Sequence, residues 1–202
     1  MKLVIMTKST FFVEEDKILT TLFDEGMDNL HLFKPGSTPL YAERLLSLIP
    51  EDYYRKITVH DHFYLKNEYD LAGIHLDSAD TEIPNNYKGK IGRTCTDIQM
   101  LKEMKKKSSC VFLKNIFDCI EFSEEKKTFT QQQLEDAADK GLIDRHVYAL
   151  GGMSLDNIRM AKTLGFGGVV SCGDLWSRFD IHIQTDFKDL IAHFEKLRNA
   201  VR

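Results

Sequence analysis

Short apolar runs alternate along the chain with stretches whose apolar residues recur at helical spacing. Lys2 to Thr7 reads as a buried strand, and Glu15 to Glu25 as an amphipathic helix with Ile18, Leu19 and Leu22 on one face. Leu30 to Phe33 is a second strand, stopped at Lys34-Pro35-Gly36, and Pro39 to Leu48 a helix with proline in its first turn. Strands follow at Ile57–Asp61, Gly73–Leu76, Lys90–Thr94 and Cys110–Leu113. A short helical crossover at His62–Glu68 and a helix at Asp97–Lys107 lie between them. Asn115 to Thr130, rich in Glu and Lys, has no periodicity and reads as a mobile loop able to act as a lid. Val147 to Leu150 then ends at Gly151-Gly152. A helix from Ser154 to Thr163, with Ser154 as N-cap, stops at Gly165, and Gly168 to Val170 ends at Ser171-Cys172-Gly173. Asp186 to Ala200 closes the chain as an amphipathic helix.

Eight strands alternating with helical segments argue for a parallel sheet. At 202 residues the eight units fit an α/β fold of the TIM (β/α)8 barrel type, one compact domain over residues 1–202. A doubly wound open sheet is the alternative, because the crossovers after the third and fourth strands are brief. No repeat or low-complexity tract interrupts the pattern.

Composition narrows the function classes. The net charge of −4, with no basic run beyond Lys105-Lys106-Lys107, gives no reason to expect nucleic acid. Cys95, Cys110, Cys119 and Cys172 lack the paired spacing of a zinc site or disulfide framework, and so read as reduced thiols. The apolar run Leu3–Met6 is too short for a signal peptide, and no run reaches the length of a membrane span. The expectation is a soluble, cytoplasmic protein without a membrane partner.

Chemistry is expected at the carboxyl ends of the strands. Glycine turns after the seventh and eighth strands offer backbone N–H groups with no side chains in the way, as a phosphate site needs. Gly151, Gly152, Val170, Ser171 and Cys172 are the candidates, although glycines also serve plain tight turns. Lys34, His60, Asp61, Asp77, Asp80 and Thr94 stand at the other strand ends. Asp61 and Asp80 are placed to share one Mg²⁺ that keeps waters for diphosphate oxygens; the plainer alternative is turn and capping aspartates. His60, His62 and His75 are spaced two and then thirteen apart, which does not set three imidazoles on one face. His62 and His75 therefore read as surface or half-buried residues, and His60, at a strand mouth, as one able to reach substrate.

The order and intervals of these motifs resemble the thiamine phosphate synthase/TenI superfamily over nearly the whole chain. Val59-His60-Asp61 is similar to the family's "Ile-Asn-Asp", and Gly73-Ile74-His75-Leu76 to Asp80 to "Gly-Val-His-Leu-Gly-Gln-x-Asp". Ile91 to Thr94 resembles "Ile-Gly-x-Ser", Ala149 to Met153 "Ala-Ile-Gly-Gly-Ile", and Gly168 to Ser171 "Gly-Val-Ala-Val-Val-Ser". The resemblance implies a barrel that joins an aminopyrimidine diphosphate to a thiazole phosphate and releases pyrophosphate, with Mg²⁺ as cofactor. It also implies that Asp61 and Asp80 are metal ligands, that Gly152 and the Val170-Ser171 turn cradle the thiazole phosphate, and that Thr94 binds pyrophosphate. Homodimers are common in the family and are one expected assembly.

The chain departs from that pattern on its cationic side. Where the second-strand motif continues Arg-Glu-Lys, it has Phe33-Lys34-Pro35, leaving Lys34 as the candidate substitute. His60 replaces an asparagine. In the loop after the sixth strand, Cys119 and Phe122 stand where a threonine and a lysine are usual. The tautomerase branch carries a histidine where this chain has Thr96. These losses keep open a non-catalytic phosphate-binding regulator, and an isomerase using His60 or Asp61 as base.

Overall fold

A computed structural model describes residues 1–121, 124–180, 182–183 and 186–202. Its eight strands close a parallel barrel in sequence order. They are β1 (Lys2–Met6), β2 (Leu30–Leu32), β3 (Ile57–Val59), β4 (Gly73–Leu76), β5 (Lys90–Cys95), β6 (Cys110–Leu113), β7 (Val147–Ala149) and β8 (Gly168–Ser171). Closure is made by β8 against β1, with Lys2 beside Gly168 and Ile5 beside Ser171, which removes the open-sheet alternative. Around the barrel run α1 (Glu15–Asp24), α2 (Pro39–Leu48), α3 (Leu65–Glu68), α4 (Leu101–Lys106), α5 (Gln131–Asp139), α6 (Ile158–Thr163), α7 (Gly173–Trp176) and α8 (Lys188–Val201).

Alternation along the strands divides the core in two. Leu3, Ile5, Leu30, Leu32 and Val169 join the large apolar shell between barrel and helices. Val4, Met6, Phe112, Tyr148 and Val170 make a small inner cluster. Barrel interiors are usually filled by branched aliphatic side chains. Here Phe112 meets imidazoles instead, with ring centres 4.9 Å from His31 and 4.3 Å from His75.

Several boundaries differ from the sequence expectation for local reasons. β3 stops at Val59, and the chain turns at His62, whose backbone is left-handed (φ 51). The sixth helix starts at Ile158 rather than Ser154. Asn157 holds the preceding turn, accepting from the Ser154 N–H at 2.9 Å and donating Nδ2–H to the Gly152 carbonyl at 2.9 Å. α5 was not expected; a capping box fixes its start, with the Thr130 and Gln133 side chains bonding each other's backbone N–H. The described residues of the connection after β6 are pinned to the barrel. Ile116 N–H donates to Leu150 O, Phe117 N–H to Gly151 O, and Lys114 pairs with Glu125 at 2.6 Å.

Candidate active site

The carboxyl ends of the strands open into a cavity. Met6, Phe33, Leu150 and Val170 give it apolar walls, Asp77 and Thr94 a polar side, and the post-β6 connection covers it with Cys119, Ile120 and Glu121. Gly151, Gly152, Cys172 and Gly173 line the same hollow, so the turns after β7 and β8 face one space.

The glycines are required by geometry at one place above all. Gly152 has φ 61, and a Cβ there would lie 2.3 Å from the Asp118 carbonyl oxygen. Among the described residues, no group accepts a hydrogen bond from the N–H of Gly151, Gly152, Cys172 or Gly173. Asp174 fastens the two turns together. Its Oδ2 accepts from His193 Nε2 of α8 at 2.7 Å and from the Leu155 N–H at 3.2 Å. Val170 and Cys172 line the cavity, whereas Ser171 does not. Ser171 is 2% exposed, and its Oγ is buried with no partner.

The opposite side of the mouth is built of imidazoles and a carboxylate. His60 Nδ1 donates to Asp77 at 2.9 and 3.0 Å, and the Thr94 hydroxyl donates to Asp77 Oδ1 at 3.3 Å. Thr94 Oγ1 in turn takes His75 Nε2–H at 3.0 Å, while His60 Nε2 and His31 Nδ1 share a hydrogen bond of 2.8 Å. His75 is thus fully buried rather than half-buried, and its companions are His31 and His60; His62 instead bonds Ser37 O. Burial holds the His31 and His75 imidazoles well below the ordinary histidine range, and neighbouring imidazoles push the same way.

Lys34 is turned away from the cavity. Its Nζ lies 2.6 Å from Glu15 Oε1 and 2.9 Å from Thr10 O, with both side chains of the pair 2% exposed. Burial lowers the lysine and raises the Glu15 carboxyl to about 7, with each partner offsetting the other's shift in part. Of the described residues lining the mouth, Lys114 is the one cation, against Asp77, Glu121 and Glu125. Burial, then Glu121, keeps the Cys172 thiol protonated; it donates to Glu121 Oε2 at 2.9 Å. Asp61 Oδ2 is buried without a partner, an oxygen suited to a cation, while Asp80 sits exposed on the turn after β4; neither lines the cavity.

A solved structure of thiamine phosphate pyrophosphorylase from Bacteroides thetaiotaomicron is 44% identical to this chain, covers 99% of it and 97% of its own length, and superposes with a TM-score of 0.91. The chain belongs to the thiamine phosphate synthase/TenI family. A second thiamine phosphate pyrophosphorylase, from Pyrococcus furiosus, shares the fold at 17% identity and a TM-score of 0.76, over 99% of this chain and 95% of that one. So does a 3-hexulose-6-phosphate synthase at 15% identity and 0.65, with both chains fully covered. No family model and no curated protein matches the sequence.

Within a thiamine phosphate synthase/TenI barrel some of the departures line the mouth and others do not. Phe33, at the motif's arginine, points into the cavity, and its ring meets His60 edge-on at 5.4 Å. His60 and Asp77, at the motif's asparagine and glycine, bond each other. Cys119 lines the cavity, whereas Phe122 lies outside the described residues. Thr96, at the tautomerase histidine, is exposed beyond the end of β5. The pairing of His60 with Asp77 could not have been read from two residues seventeen apart, but both occupy strand ends where a barrel faces inward.

Proposed function

We propose that this barrel is a thiamine phosphate synthase-type transferase. It joins an aminopyrimidine diphosphate to a thiazole phosphate with release of pyrophosphate, through a diphosphate site poor in side-chain cations. The observation that supports the reading is the pair of turns, Gly151-Gly152 and Cys172-Gly173, which line one cavity and whose amides have no acceptor among the described residues. They bind the thiazole phosphate without a side-chain cation, and Met6, Leu150 and Val170 pack against the ring.

Asp61, with its buried unpartnered oxygen, and Asp80 would hold Mg²⁺. That ion supplies positive charge to the departing pyrophosphate. Thr94 would donate to the same oxygens only by turning its hydroxyl proton away from Asp77, and Asp77, an anion lining the cavity, would favour a developing pyrimidine cation. His60 orients Asp77 from beneath. Lys34 does not reach the anion while it is paired with Glu15, so each missing cation slows the step by roughly 10²-fold.

Mixing both substrates with Mg²⁺ and following pyrophosphate tests the reading. Slow, Mg²⁺-dependent release is expected, and no turnover at stoichiometric enzyme contradicts the transferase. The shortage of cations at the mouth, which disfavours diphosphate chemistry, points to one alternative, a regulator that binds phosphate through the glycine turns alone. It would show thermal stabilisation by thiazole phosphate or thiamine phosphate with no pyrophosphate formed.

A further inference from the structure

Below the floor of the mouth, β2, the residue that follows β3, and β4 each point one histidine into the barrel. His31, His60 and His75 are 3%, 4% and 0% exposed. One ring nitrogen from each lies within 4.8 Å of the others, the one such group of three histidine, cysteine or acidic ligands among the described residues. We propose that these imidazoles form a binding site for a divalent transition metal, zinc or a close neighbour, separate from the Asp61 and Asp80 carboxylates proposed for Mg²⁺.

The ring separations match those of a shared ion, although the His60 and His75 rings are stacked, 21° apart in plane. The three ring centres are 5.1, 5.3 and 4.5 Å apart. Three imidazoles on one zinc at the usual bond length have centres about 5 Å apart. The polar partners also suit it. Asp77 takes the Nδ1–H of His60 and so leaves its Nε2 lone pair facing His31, the carboxylate–histidine arrangement that orients metal ligands. Thr94 takes Nε2–H of His75, whose Nδ1 is buried with no hydrogen-bond partner. A fully buried ring nitrogen without a partner is costly, a cost that a ligand bond would relieve. Gly92 on β5 makes the room for that ring, since a Cβ there would sit 2.3 Å from His75 Nδ1. Burial already keeps His31 and His75 neutral, the form that ligates.

Binding asks for two changes: the His75 ring turns out of its stack on His60 so that its free nitrogen faces the other two, and the His31–His60 contact opens. The His31–His60 contact of 2.8 Å is a shared proton. A metal replaces it by opening the two nitrogens to about 3.3 Å, with the His31 proton moving to the ring's other nitrogen. Imidazole ligands exclude Mg²⁺ and Ca²⁺, which prefer oxygen, and favour zinc, copper, nickel or cobalt.

The full-length protein, stripped with a chelator and titrated with Co²⁺ and Zn²⁺, tests the site. One metal ion per chain is expected, with a rise in melting temperature and an absorption spectrum of cobalt bound by nitrogen. Asp77→Ala should weaken binding roughly 10- to 100-fold, His31→Gln should abolish it, and Asp61→Asn should leave it unchanged. X-ray absorption on the unmutated protein decides the matter even if a variant fails to fold. A first shell with three imidazole nitrogens supports the site. An all-oxygen shell, or no stoichiometric binding, overturns it.

Discussion

Asp174 and His193 are joined by a 2.7 Å hydrogen bond with both side chains 9% exposed, which ties the turn after β8 to the closing helix. The same carboxylate takes the Leu155 N–H beyond the β7 turn, so one buried group braces both turns of the proposed phosphate cradle. Replacing it by alanine leaves the buried His193 and the part-buried Leu155 N–H unpaired. Asp174→Ala is expected to destabilise the fold by about 2–4 kcal/mol and to weaken thiazole phosphate binding as well. Denaturant titration and calorimetric binding measure the two effects, and a loss of stability without a loss of affinity would separate the anchor from the cradle.

Gly152→Ala acts more locally. The new methyl meets the Asp118 carbonyl oxygen at 2.3 Å on a left-handed backbone, so the loop must lift or the turn must change. KM for thiazole phosphate is expected to rise at least about tenfold, as one charge-assisted contact is lost. Steady-state kinetics with the second substrate saturating would read it.

Phe33→Arg puts a guanidinium into the cavity from the β2 end. In the proposed reaction it faces the leaving pyrophosphate and should raise the rate of pyrophosphate release by about tenfold or more. An unchanged or slower rate in a folded variant would show that cation shortage is not what limits the site.

Much of the fold was legible because its strands are bounded by residues with fixed backbone habits. Pro39 opens α2 as read, and the runs at Gly73–Leu76 and Cys110–Leu113 are strands over those spans. α7 was missed because four residues carry no period, and α5 because Thr130 and Gln133 announce a helix only as a reciprocal pair. The site was harder to read. His31 lies between Leu30 and Leu32 and passes for part of an apolar strand, yet it points inward where the leucines point outward. Lys34 reads as a free cation at a strand end, and nothing in its surroundings announces Glu15 nineteen residues earlier.

That buried pair sets a pH dependence. Burial raises the Glu15 carboxyl from 4.5 to about 7, so between those values the folded protein holds a proton that the unfolded chain has released. Stability contributed by this group is therefore full below pH 4.5 and is lost as pH rises through about 7. Glu15→Gln removes the dependence. Melting curves should show the unmutated protein losing several degrees relative to the variant over that window. Parallel curves would contradict the shift.

The most direct measurement is a crystal structure with thiazole phosphate bound. The phosphate oxygens are expected within hydrogen-bond distance of the amides of Gly152 and Gly173 or Cys172, with the ring against Val170 and Leu150. A phosphate held elsewhere in the mouth, with those amides unengaged, would contradict the account.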